Sequence, residues 1–597
     1  MSKENLLKIS QYNTERRPSL ATDVDYSSTD LSSRSDSANT TNGTPTVTLH
    51  KRQSSTELLS ESPEQKRFLK TIDTLNRTTN SRLRQRLNRE GDKHKKEHKE
   101  HEKHKDDHSK YKSRFGDIHF YSNMTTIFDA DYFKESQFFG VYILFWLGTA
   151  FLILNNLVHT FLENGDNLLD GPVVRTFKKD LLKIALTDLG MYLTMYVSVF
   201  IQLGIRKGWY SWSSTGATLQ NIYSFVYFFA WSYFASPKYM DYPWIGKVFL
   251  ALHSLVFLMK MHSYATYNGY LWNIFNELQV SRKYLKILDE TDESMIEGKS
   301  VSDLRKALVD SIGFCSYELE YQSKSTSVNT DVEITGDKNK LNTTKSTSSL
   351  DDDYVSFPNN ITFFDFFRYS MFPTVVYSLK FPRTKRIRWG YVMEKSFAVF
   401  GIIFLMITVA QNWMYPIVVR AQEASKLPMS REKVLQYCLV LLDMIPPFLM
   451  EYLFTFFLIW DVILNAIAEL SRFADRDFYG PWWSCTDWSE FARIWNRPVH
   501  KFLLRHVYQS TISTFKLNKN QASLVTFIIS SFVHEFVMFV IFRKVRFYML
   551  ALQMSQLPLI MISRTKFMRD KKVLGNVICW VGFISGPSMI CTLYLVF

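Results

Sequence analysis

Cysteine is scarce in this chain of 597 residues, which contains only five. No two of them form a Cys-x-x-Cys pair, and their spacing is irregular. This pattern argues against a disulfide framework and against a zinc site. An apolar stretch is also missing near Met1, so the sequence predicts no cleavable signal peptide. The first strongly apolar run begins near Phe138, and we expect it to act as an internal signal-anchor.

Apolar residues are few in the first part of the chain, residues 1–115. The stretch "SSTDLSSRSDSANTTNGT" is typical of a disordered segment, because it offers too little apolar surface to form a core. The following stretch, "DKHKKEHKEHEKHKDDHSK", holds five of the 13 histidines. Metal binding is one interpretation, but the interleaved Lys and Glu favour a solvated charged helix. We therefore predict a disordered, basic and His-rich tail over 1–115.

Net charge is the next question, because the formal value of +14 could indicate a partner of opposite sign such as nucleic acid. Lys and Arg instead flank long apolar runs along the rest of the chain. That arrangement is typical of basic loops beside anionic lipid headgroups. We expect contact with membrane lipid and no binding of nucleic acid.

Residues 116–597 are dominated by nine apolar runs, most of them near the roughly 20 residues that a helix needs to cross a bilayer. The pattern predicts an all-α polytopic membrane protein with about nine transmembrane helices. The runs cover residues 138–158, 184–205, 218–235, 246–264, 396–414, 436–460, 521–542, 547–563 and 574–597.

Orientation follows from the basic loops, which favour the cytosolic side. If nine helices span and the tail is cytosolic, the segments 265–395, 465–520 and 564–573 are cytosolic as well. They carry "FPRTKRIRW", "RIWNRPVHKFLLRHVY" and "SRTKFMRDKK". We therefore predict a multi-pass protein with its N-terminal tail in the cytosol.

The sixth apolar run contains "MIPPFLMEYLF", where Pro446 and Pro447 are expected to kink or break the helix. The same run carries Asp443 and Glu451. Acidic side chains at membrane depth usually face a bundle interior or a wet cavity.

His534 and Glu535 lie in the middle of the apolar run "FIISSFVHEFVMFVIF". At 100° per residue Ser530 and His534 share one helical face, with Ser531 close to it. A desolvated imidazole stays neutral and can accept a proton from a hydroxyl group. The pattern therefore allows a general base for an alcohol delivered from the lipid phase, or a structural histidine bonded between helices. We assign no catalytic role to Glu535.

The segment "RIWNRPVHKFLLRHVY" (493–508) mixes aromatic and basic side chains. Such a segment at the cytosolic face suits a phosphate-bearing ligand, although an interfacial helix anchored by Trp and Lys would look similar. Asn496 adds an uncharged donor and acceptor that could hold an oxyanion or orient a base. The aromatic stretch "FYGPWWSCTDW" (478–488) precedes it.

Together these motifs resemble the membrane-bound O-acyltransferase superfamily. "FYGPWWS", "RIWNRPVHKFLLRHVY" and "SSFVHEF" occur in the order that the superfamily shows. "HSLVFLMKMHSYATYN" (253–268) and "FPRTKRIRWGYVMEK" (381–395) are similar to the fungal sterol O-acyltransferases within it. The resemblance covers roughly residues 115–597 and makes 116–597 a membrane-bound O-acyltransferase catalytic domain. The tail lies outside it.

The resemblance implies an enzyme of the endoplasmic reticulum membrane that transfers a fatty acyl group from acyl-CoA to the 3β-hydroxyl of a sterol, forming steryl esters. Acyl-CoA would be a co-substrate, and no cofactor or metal is expected. Self-association into a dimer or larger homo-oligomer is also implied. The family's catalytic residues fall on His534 and Asn496, with Trp495 in support. Its acyl-CoA contacts fall on Arg493, Tyr508, Lys519 and Ser530.

The chain departs from the family pattern F-Y-x-D-W-W-N, since Pro481 replaces the Asp and Ser484 replaces the Asn. A covalent route through Cys485 has no assignable base beside it. Two other functions stay open: a diacylglycerol O-acyltransferase of the same superfamily, and a lipid or sterol transporter without chemistry. The transporter would be favoured by a helix broken at Pro446–Pro447 and by the intramembrane acids, whereas no internal repeat is visible.

Overall fold

The computed structural model describes residues 125–136, 139–164, 172–234, 240–290, 299–324, 356–569 and 571–597, with Tyr111, Ser113, Ile118 and Phe120. Within these residues the regular elements are all helical. Of the predicted tail over 1–115, only Tyr111 and Ser113 lie among them, and the histidine cluster (92–110) lies outside. Two compact units divide the chain: residues 108–291 with 309–597, and residues 1–107 with 292–308. Of the second unit the structure describes only the helical residues 299–308, and every contact below belongs to the first.

Helices in the N-terminal half come in two sizes. The short ones are Ile127–Asp129, Asp131–Lys134, Pro172–Lys178 and the π-helical turn Trp212–Gly216. The main ones are α1 (Phe139–Asn164), α2 (Leu181–Thr194), α3 (Val197–Arg206), α4 (Ala217–Phe234), α5 (Trp244–Glu290), α6 (Lys299–Lys324) and α7 (Phe363–Met371).

Helices in the C-terminal half are interrupted by π-helical turns at Ala410–Met414, Phe457–Ile463 and Leu503–Tyr508, and by short turns at Trp482–Ser484 and Lys566–Arg569. The main ones are α8 (Trp389–Val409), α9 (Tyr415–Lys426), α10 (Arg431–Phe456), α11 (Leu464–Leu470), α12 (Trp488–Ile494), α13 (Arg497–Phe502), α14 (Gln509–Phe515), α15 (Lys519–Phe542), α16 (Tyr548–Met554), α17 (Gln556–Ser563) and α18 (Lys572–Val596).

Among the described residues, all nine apolar runs of the sequence form helices apart from short turns and run ends. Six helical stretches of the described chain are long and apolar enough to cross a membrane. Two shorter apolar helices accompany them, at Phe139–Asn155 and Tyr548–Ser563. An all-α polytopic membrane protein is thereby confirmed, whereas the count of about nine transmembrane helices stays a prediction. The six stretches are Val173–Arg206, Trp244–Glu290, Trp389–Lys426, Arg431–Leu470, Lys519–Phe542 and Lys572–Val596.

Large apolar side chains are exposed along these helices, for example Leu152, Phe200, Phe397, Phe400 and Val581. Their exposed fractions run from 54% to 72%. In water such continuous apolar surface would mark an interface or a liability. On helices long enough to cross a membrane, these apolar side chains form the surface that faces lipid. The helical backbone can lie in hydrocarbon because it satisfies its own polar groups.

Helix α10 runs without interruption through Pro446 and Pro447. The helical stretch continues through the π-helical turn Phe457–Ile463 into α11. The expected break at the two prolines is therefore wrong, whereas a kink there stays a prediction. A membrane helix tolerates proline when neighbouring helices or a local π-helical turn satisfy the carbonyl groups that the proline leaves unpaired.

A charged cluster ties the segment before α1 to the bundle. The Lys395 ammonium on α8 lies 3.1 Å from a carboxylate oxygen of Asp129 and 3.1 Å from one of Asp461. The Thr126 hydroxyl donates to Asp461 at 2.8 Å, and the Tyr479 hydroxyl donates to the same oxygen at 2.6 Å. Lys395 and Asp461 are buried. The cluster thus fixes both the start of the bundle and the "FYGPWWS" loop.

Candidate active site

His534 lies near the middle of α15, and its ring is held by its own helix. Nδ1 is 2.7 Å from the carbonyl oxygen of Ser530. A carbonyl oxygen only accepts, so Nδ1 carries the proton and donates. In the neutral ring Nε2 then keeps a lone pair. The side chain is exposed in the structure of this single chain, so Nε2 is accessible. The arrangement leaves a basic atom available to a ligand.

The two serines near His534 behave differently. Ser530 contacts the imidazole through its backbone carbonyl, and its half-buried side chain stays accessible. Ser531 is completely buried, and its hydroxyl donates to the carbonyl of Phe527 at 2.8 Å. Only Ser530 is therefore placed where a ligand can reach it.

Glu535 is buried, unlike its neighbour His534, and it stabilises the junction between helices. Its Oε1 accepts from the backbone amide of Phe547 at 2.8 Å, and its Oε2 accepts from that of Leu550 at 3.2 Å. These amides lie at the N-terminus of α16, where a helix leaves N–H groups unpaired and favours negative charge. The Tyr594 hydroxyl of α18 donates to Oε1 as well. Glu535 joins α15 to two neighbouring helices, and sequence alone did not show this role.

Asn496 caps helix α13. Its side-chain oxygen accepts from the backbone amide of Val499 at 3.2 Å, as a favourable N-cap residue does. The amide nitrogen of the same side chain has no hydrogen-bond partner among the described residues, so its two donors are available. An asparagine that caps a helix in this way is rigid, and its side-chain N–H groups point in a fixed direction. That is the property an oxyanion donor needs.

Trp495 is held in an aromatic cluster with α10 and the turn that follows it. Its ring stacks on Tyr452 at 5.7 Å with an interplanar angle of 8°, and lies 4.7 Å from Trp460. Phe456 and Phe491 pack on it at 5.5 and 5.6 Å. Since Trp495 precedes Asn496, these contacts set the position of the capping amide.

A helical hairpin brings Asn496 and His534 to a similar depth. The chain is helical from Arg497 through Phe515, turns at Lys516, which has a φ of 54°, and enters α15 after the capping box of Asn518. The two arms pack against each other. In an antiparallel hairpin centred near 517, residue 534 lies opposite residue 500, and Asn496 lies roughly one turn away. His534 and Asn496 share no hydrogen bond, and each is held by contacts of its own.

Most basic side chains of the 493–508 segment are engaged within the protein. Arg497 pairs with Asp477. Lys501 lies 3.3 Å from Asp475. Arg505 is buried and donates to a backbone carbonyl. These three therefore do not offer free charge to a phosphate, contrary to the simplest interpretation of the sequence.

Arg493 and Lys519 are different, because both are exposed and neither has an ion-pair partner in the described part of the chain. Arg493 closes α12, and Lys519 opens α15. Tyr508 is half-buried on the π-helical turn between α13 and α14. Two of the predicted acyl-CoA contacts are thus accessible cations.

His500 follows Asn496 by one turn. Burial, together with the nearby charges of Arg493, Arg497 and Lys501, lowers the pKa of His500 to about 4. His506 is bonded instead, with Nε2 2.8 Å from the Ser263 hydroxyl on α5. His500 is therefore neutral at physiological pH, whereas His506 serves the packing of α5 against this segment.

The loop that departs from the family pattern is anchored on both sides. The backbone oxygen of Trp483 accepts from the Asn576 amide at 3.0 Å and from the Trp580 indole at 3.1 Å. Pro481 and Ser484 are exposed; Pro481 precedes the short turn Trp482–Ser484, and Ser484 is its last residue. Their substitution leaves the buried aromatic contacts of this loop in place.

Cys485 lies at the end of this loop and is almost completely buried. A hydrogen bond with Cys579 and burial raise the pKa of the Cys485 thiol. A thiol that resists ionisation is a poor nucleophile, which weighs against a covalent route.

Comparisons with known proteins identify the family of this chain. The family model described as "MBOAT, membrane-bound O-acyltransferase family" matches residues 299–596. Sterol O-acyltransferase 2 of Candida albicans is 58% identical over 489 residues, which cover 82% of this chain and 80% of the relative. Sterol O-acyltransferase 2 of Saccharomyces cerevisiae is 44% identical over 466 residues, covering 78% and 67%.

The chain belongs to the membrane-bound O-acyltransferase family. Within this family it groups with the fungal sterol O-acyltransferases, and it is an enzyme of the acyltransferase class. Diacylglycerol O-acyltransferase 1 of Dictyostelium discoideum is also similar, at 29% identity over 238 residues that cover 40% of this chain. Similarity to that membrane-bound O-acyltransferase is thus lower and shorter.

Sequence reasoning missed Lys395 and Asp461, which position the loop of this acyltransferase. A signal for them exists. Each is a charge inside a long apolar helical stretch, and buried charges of opposite sign at membrane depth are expected to pair. Asp129, the second acid beside Lys395, could not be predicted in this way, because the segment before α1 is not apolar.

Proposed function

We propose that this acyltransferase transfers a long-chain fatty acyl group from acyl-CoA to the 3β-hydroxyl of a sterol and forms steryl esters for storage. The observation that carries the proposal is the His534 ring. Its Nδ1–H is bound to the Ser530 carbonyl at 2.7 Å, so the accessible Nε2 is the basic atom. The names of the similar fungal proteins support a sterol as the acceptor.

The reaction is a single displacement. Nε2 of His534 takes the proton of the sterol hydroxyl as the oxygen attacks the thioester carbon. The N–H donors of Asn496 stabilise the oxyanion that forms at the carbonyl oxygen. The carbon–sulfur bond then breaks, and the imidazolium returns its proton to the thiolate of coenzyme A. The histidine lies at membrane depth because the sterol never leaves the bilayer.

Acyl-CoA binds with its phosphates at exposed cations, for which the family resemblance indicates Arg493 and Lys519. Tyr508 and Ser530 contact the same substrate closer to the thioester, and Trp495 holds Asn496 in place. No cofactor takes part, since acyl-CoA carries the activated group itself.

We place the enzyme in the endoplasmic reticulum membrane as a multi-pass protein with its tail in the cytosol, associated with itself as a dimer or larger oligomer. The family resemblance supports these assignments. The basic loops favour the same orientation.

One assay separates this proposal from the alternatives. Purified protein receives labelled oleoyl-CoA with equal amounts of a 3β-hydroxysterol and diacylglycerol. We expect mainly steryl ester, and little product from the 3α epimer. Mainly triacylglycerol would overturn the sterol assignment and leave the acyl-transfer mechanism intact. No acyl product from any acceptor would favour the transporter, although α10 lacks the break that a transporter interpretation relied on.

A further inference from the structure

Asp188 on α2 and His253 on α5 form an imidazole–carboxylate pair apart from the site described above. The Nδ1 atom of His253 lies 2.6 Å from a carboxylate oxygen of Asp188. The pair is partly open, with side-chain exposures of 34% for the histidine and 23% for the aspartate. Nε2 of His253 has no hydrogen-bond partner among the described residues. Both residues lie on helical stretches long enough to cross a membrane. An ionisable pair with an accessible polar atom in such a position is a candidate functional site.

The depth of this pair can be read from helix registers. Lys247 on α5 is close enough to Arg543, just after α15, for their charges to repel. Ser263 on α5 contacts His506 at 2.8 Å, and in the hairpin His506 lies opposite residue 528. Both relations fit an antiparallel packing of α5 on α15, in which residue numbers at one level sum to about 790. His253 then lies level with residue 537, roughly 5 Å along the axis from His534.

The surface around the pair faces lipid. Leu252 on α5 and Leu189 on α2 flank it and are 47% and 49% exposed. Two aromatic rings lie along α5 on either side of the imidazole. Phe249 is 5.4 Å from the His253 ring and Phe257 is 4.1 Å from it. The open polar atom is thus set in an apolar and partly aromatic surface.

The chemistry of the pair selects a neutral hydroxyl group. With Nδ1–H donated to Asp188, Nε2 accepts if the imidazole is neutral and donates if it is protonated. A hydroxyl group can serve either state, because it both donates and accepts. A phosphate is disfavoured, because the Asp188 carboxylate cancels or outweighs the charge of the histidine. At this depth the available ligands are lipids.

We infer that the Asp188–His253 pair is a sterol-hydroxyl site on the lipid-facing surface, at the depth of His534. A sterol bound there hydrogen-bonds to Nε2 of His253 and lays its flat apolar body against Phe249. The inference rests on the proposed function, since it takes a sterol as the acceptor. It adds a specificity-determining residue that recognises the acceptor before it reaches the reacting atoms.

The test compares His253→Phe with the parental enzyme in phosphatidylcholine nanodiscs of defined sterol content. The variant keeps a ring of similar size and removes the polar atom. We expect the sterol fraction for half-maximal rate to rise about fivefold to tenfold, the range of one lost hydrogen bond in an apolar setting. The KM for acyl-CoA should stay within about twofold. Leu182→Ala, at a 73% exposed position of α2 away from the pair, is the control. His253→Gln should recover part of the sterol affinity.

A second readout separates recognition from packing. A 3-deoxysterol should compete poorly with the 3β-hydroxysterol in the parental enzyme and about equally well in His253→Phe. Equal half-maximal sterol fractions and an unchanged preference for the hydroxyl would overturn the inference. A rise in both substrate constants together with a lower thermal midpoint would also overturn it, since that pattern belongs to a packing role.

A binding arm keeps the test apart from the proposed function. Binding of labelled sterol is measured without acyl-CoA, so that no ester can form. The His534→Ala variant is compared with and without His253→Phe. Hydroxyl-dependent binding that disappears with His253→Phe supports the site even if the acyl acceptor is another lipid. Hydroxyl-dependent binding that persists contradicts the site even if steryl ester is the product.

Discussion

The hydroxyl of Tyr594 donates a hydrogen bond of 2.5 Å to Oε1 of Glu535, although the two residues are 59 positions apart. The same carboxylate caps the N-terminus of α16. The acid next to His534 is therefore part of the junction of three helices. His534 itself is exposed, so the chemistry that we propose for it is separate from the structural role of its neighbour.

Glu535→Ala should lower the midpoint of thermal unfolding in detergent by several degrees, because two backbone amides and the Tyr594 hydroxyl lose their acceptor. Each buried group left unpaired costs about 1–3 kcal/mol. Glu535→Gln keeps one accepting oxygen and should fall between the variant and the parent. Below the unfolding transition its kcat should stay within about threefold of the parental value. A stable Glu535→Gln enzyme with a hundredfold lower kcat would show that the carboxylate takes part in the reaction.

His534→Ala should lower acyl transfer by roughly 10²–10⁴-fold, the usual contribution of a general base. Extraction and thermal stability should be close to normal, since the ring bonds only to its own helix. Val533→Ala, on the same turn, is the control and should remain active. If purified His534→Ala turned over at a tenth of the parental rate, the general-base assignment would be wrong.

Asn496→Asp separates the two roles of this side chain. Aspartate is as good an N-cap as asparagine, so α13 should stay intact. It lacks the amide donors and brings negative charge to the oxyanion, so kcat should fall by at least about 10², as for other lost oxyanion donors. The measurement is kcat and KM for acyl-CoA beside Asn496→Ala, which loses both roles. A change in KM alone would make Asn496 a binding residue.

Arg493→Ala and Lys519→Ala should each raise the KM for acyl-CoA by several-fold with little change in kcat. Each removes one charge-assisted contact, which is worth about 1.5–3 kcal/mol when fully formed and less at an exposed site. The effect should shrink at high salt because exposed charges are screened. Lys385→Ala, an exposed cation in another segment, serves as the control. An unchanged KM in both variants would exclude these residues from the phosphate site.

Deleting residues 1 to about 100 should leave the specific activity within a fewfold, because the tail lies outside both the apolar runs and the family resemblance. The assay is steryl ester formation by purified protein of matched concentration. A well-expressed truncated enzyme without activity would make the tail part of the catalytic unit. Glycosylation of Asn39, Asn42 or Asn76 would place the tail in the lumen and reverse the predicted orientation.

Helices were the predictable part of this structure. All nine apolar runs fold as helices because their length and hydrophobicity leave little alternative. Pro446 and Pro447 do not break α10, although local rules predict a break. Neighbouring helices can satisfy the carbonyl groups that lose their hydrogen bonds at a proline.

Within the candidate site, periodicity placed Ser530 and His534 on one face, and the structure adds the bond that fixes the tautomer. What sequence could not supply were contacts between distant residues. Arg497 is neutralised by Asp477, and Glu535 is held by Tyr594. Such pairs depend on which helices become neighbours.

The cluster of Lys395, Asp461 and Asp129 sets a natural boundary in the chain. Thr126 and Asp129 reach into a buried charge balance, so removing them would leave Lys395 with one acid in place of two and Asp461 without the Thr126 hydroxyl. Breaking a buried ion pair typically costs about 3–5 kcal/mol. The few residues before α1 therefore belong to the helical bundle as a folded unit, and they can change only together with α8 and the turn that carries Asp461.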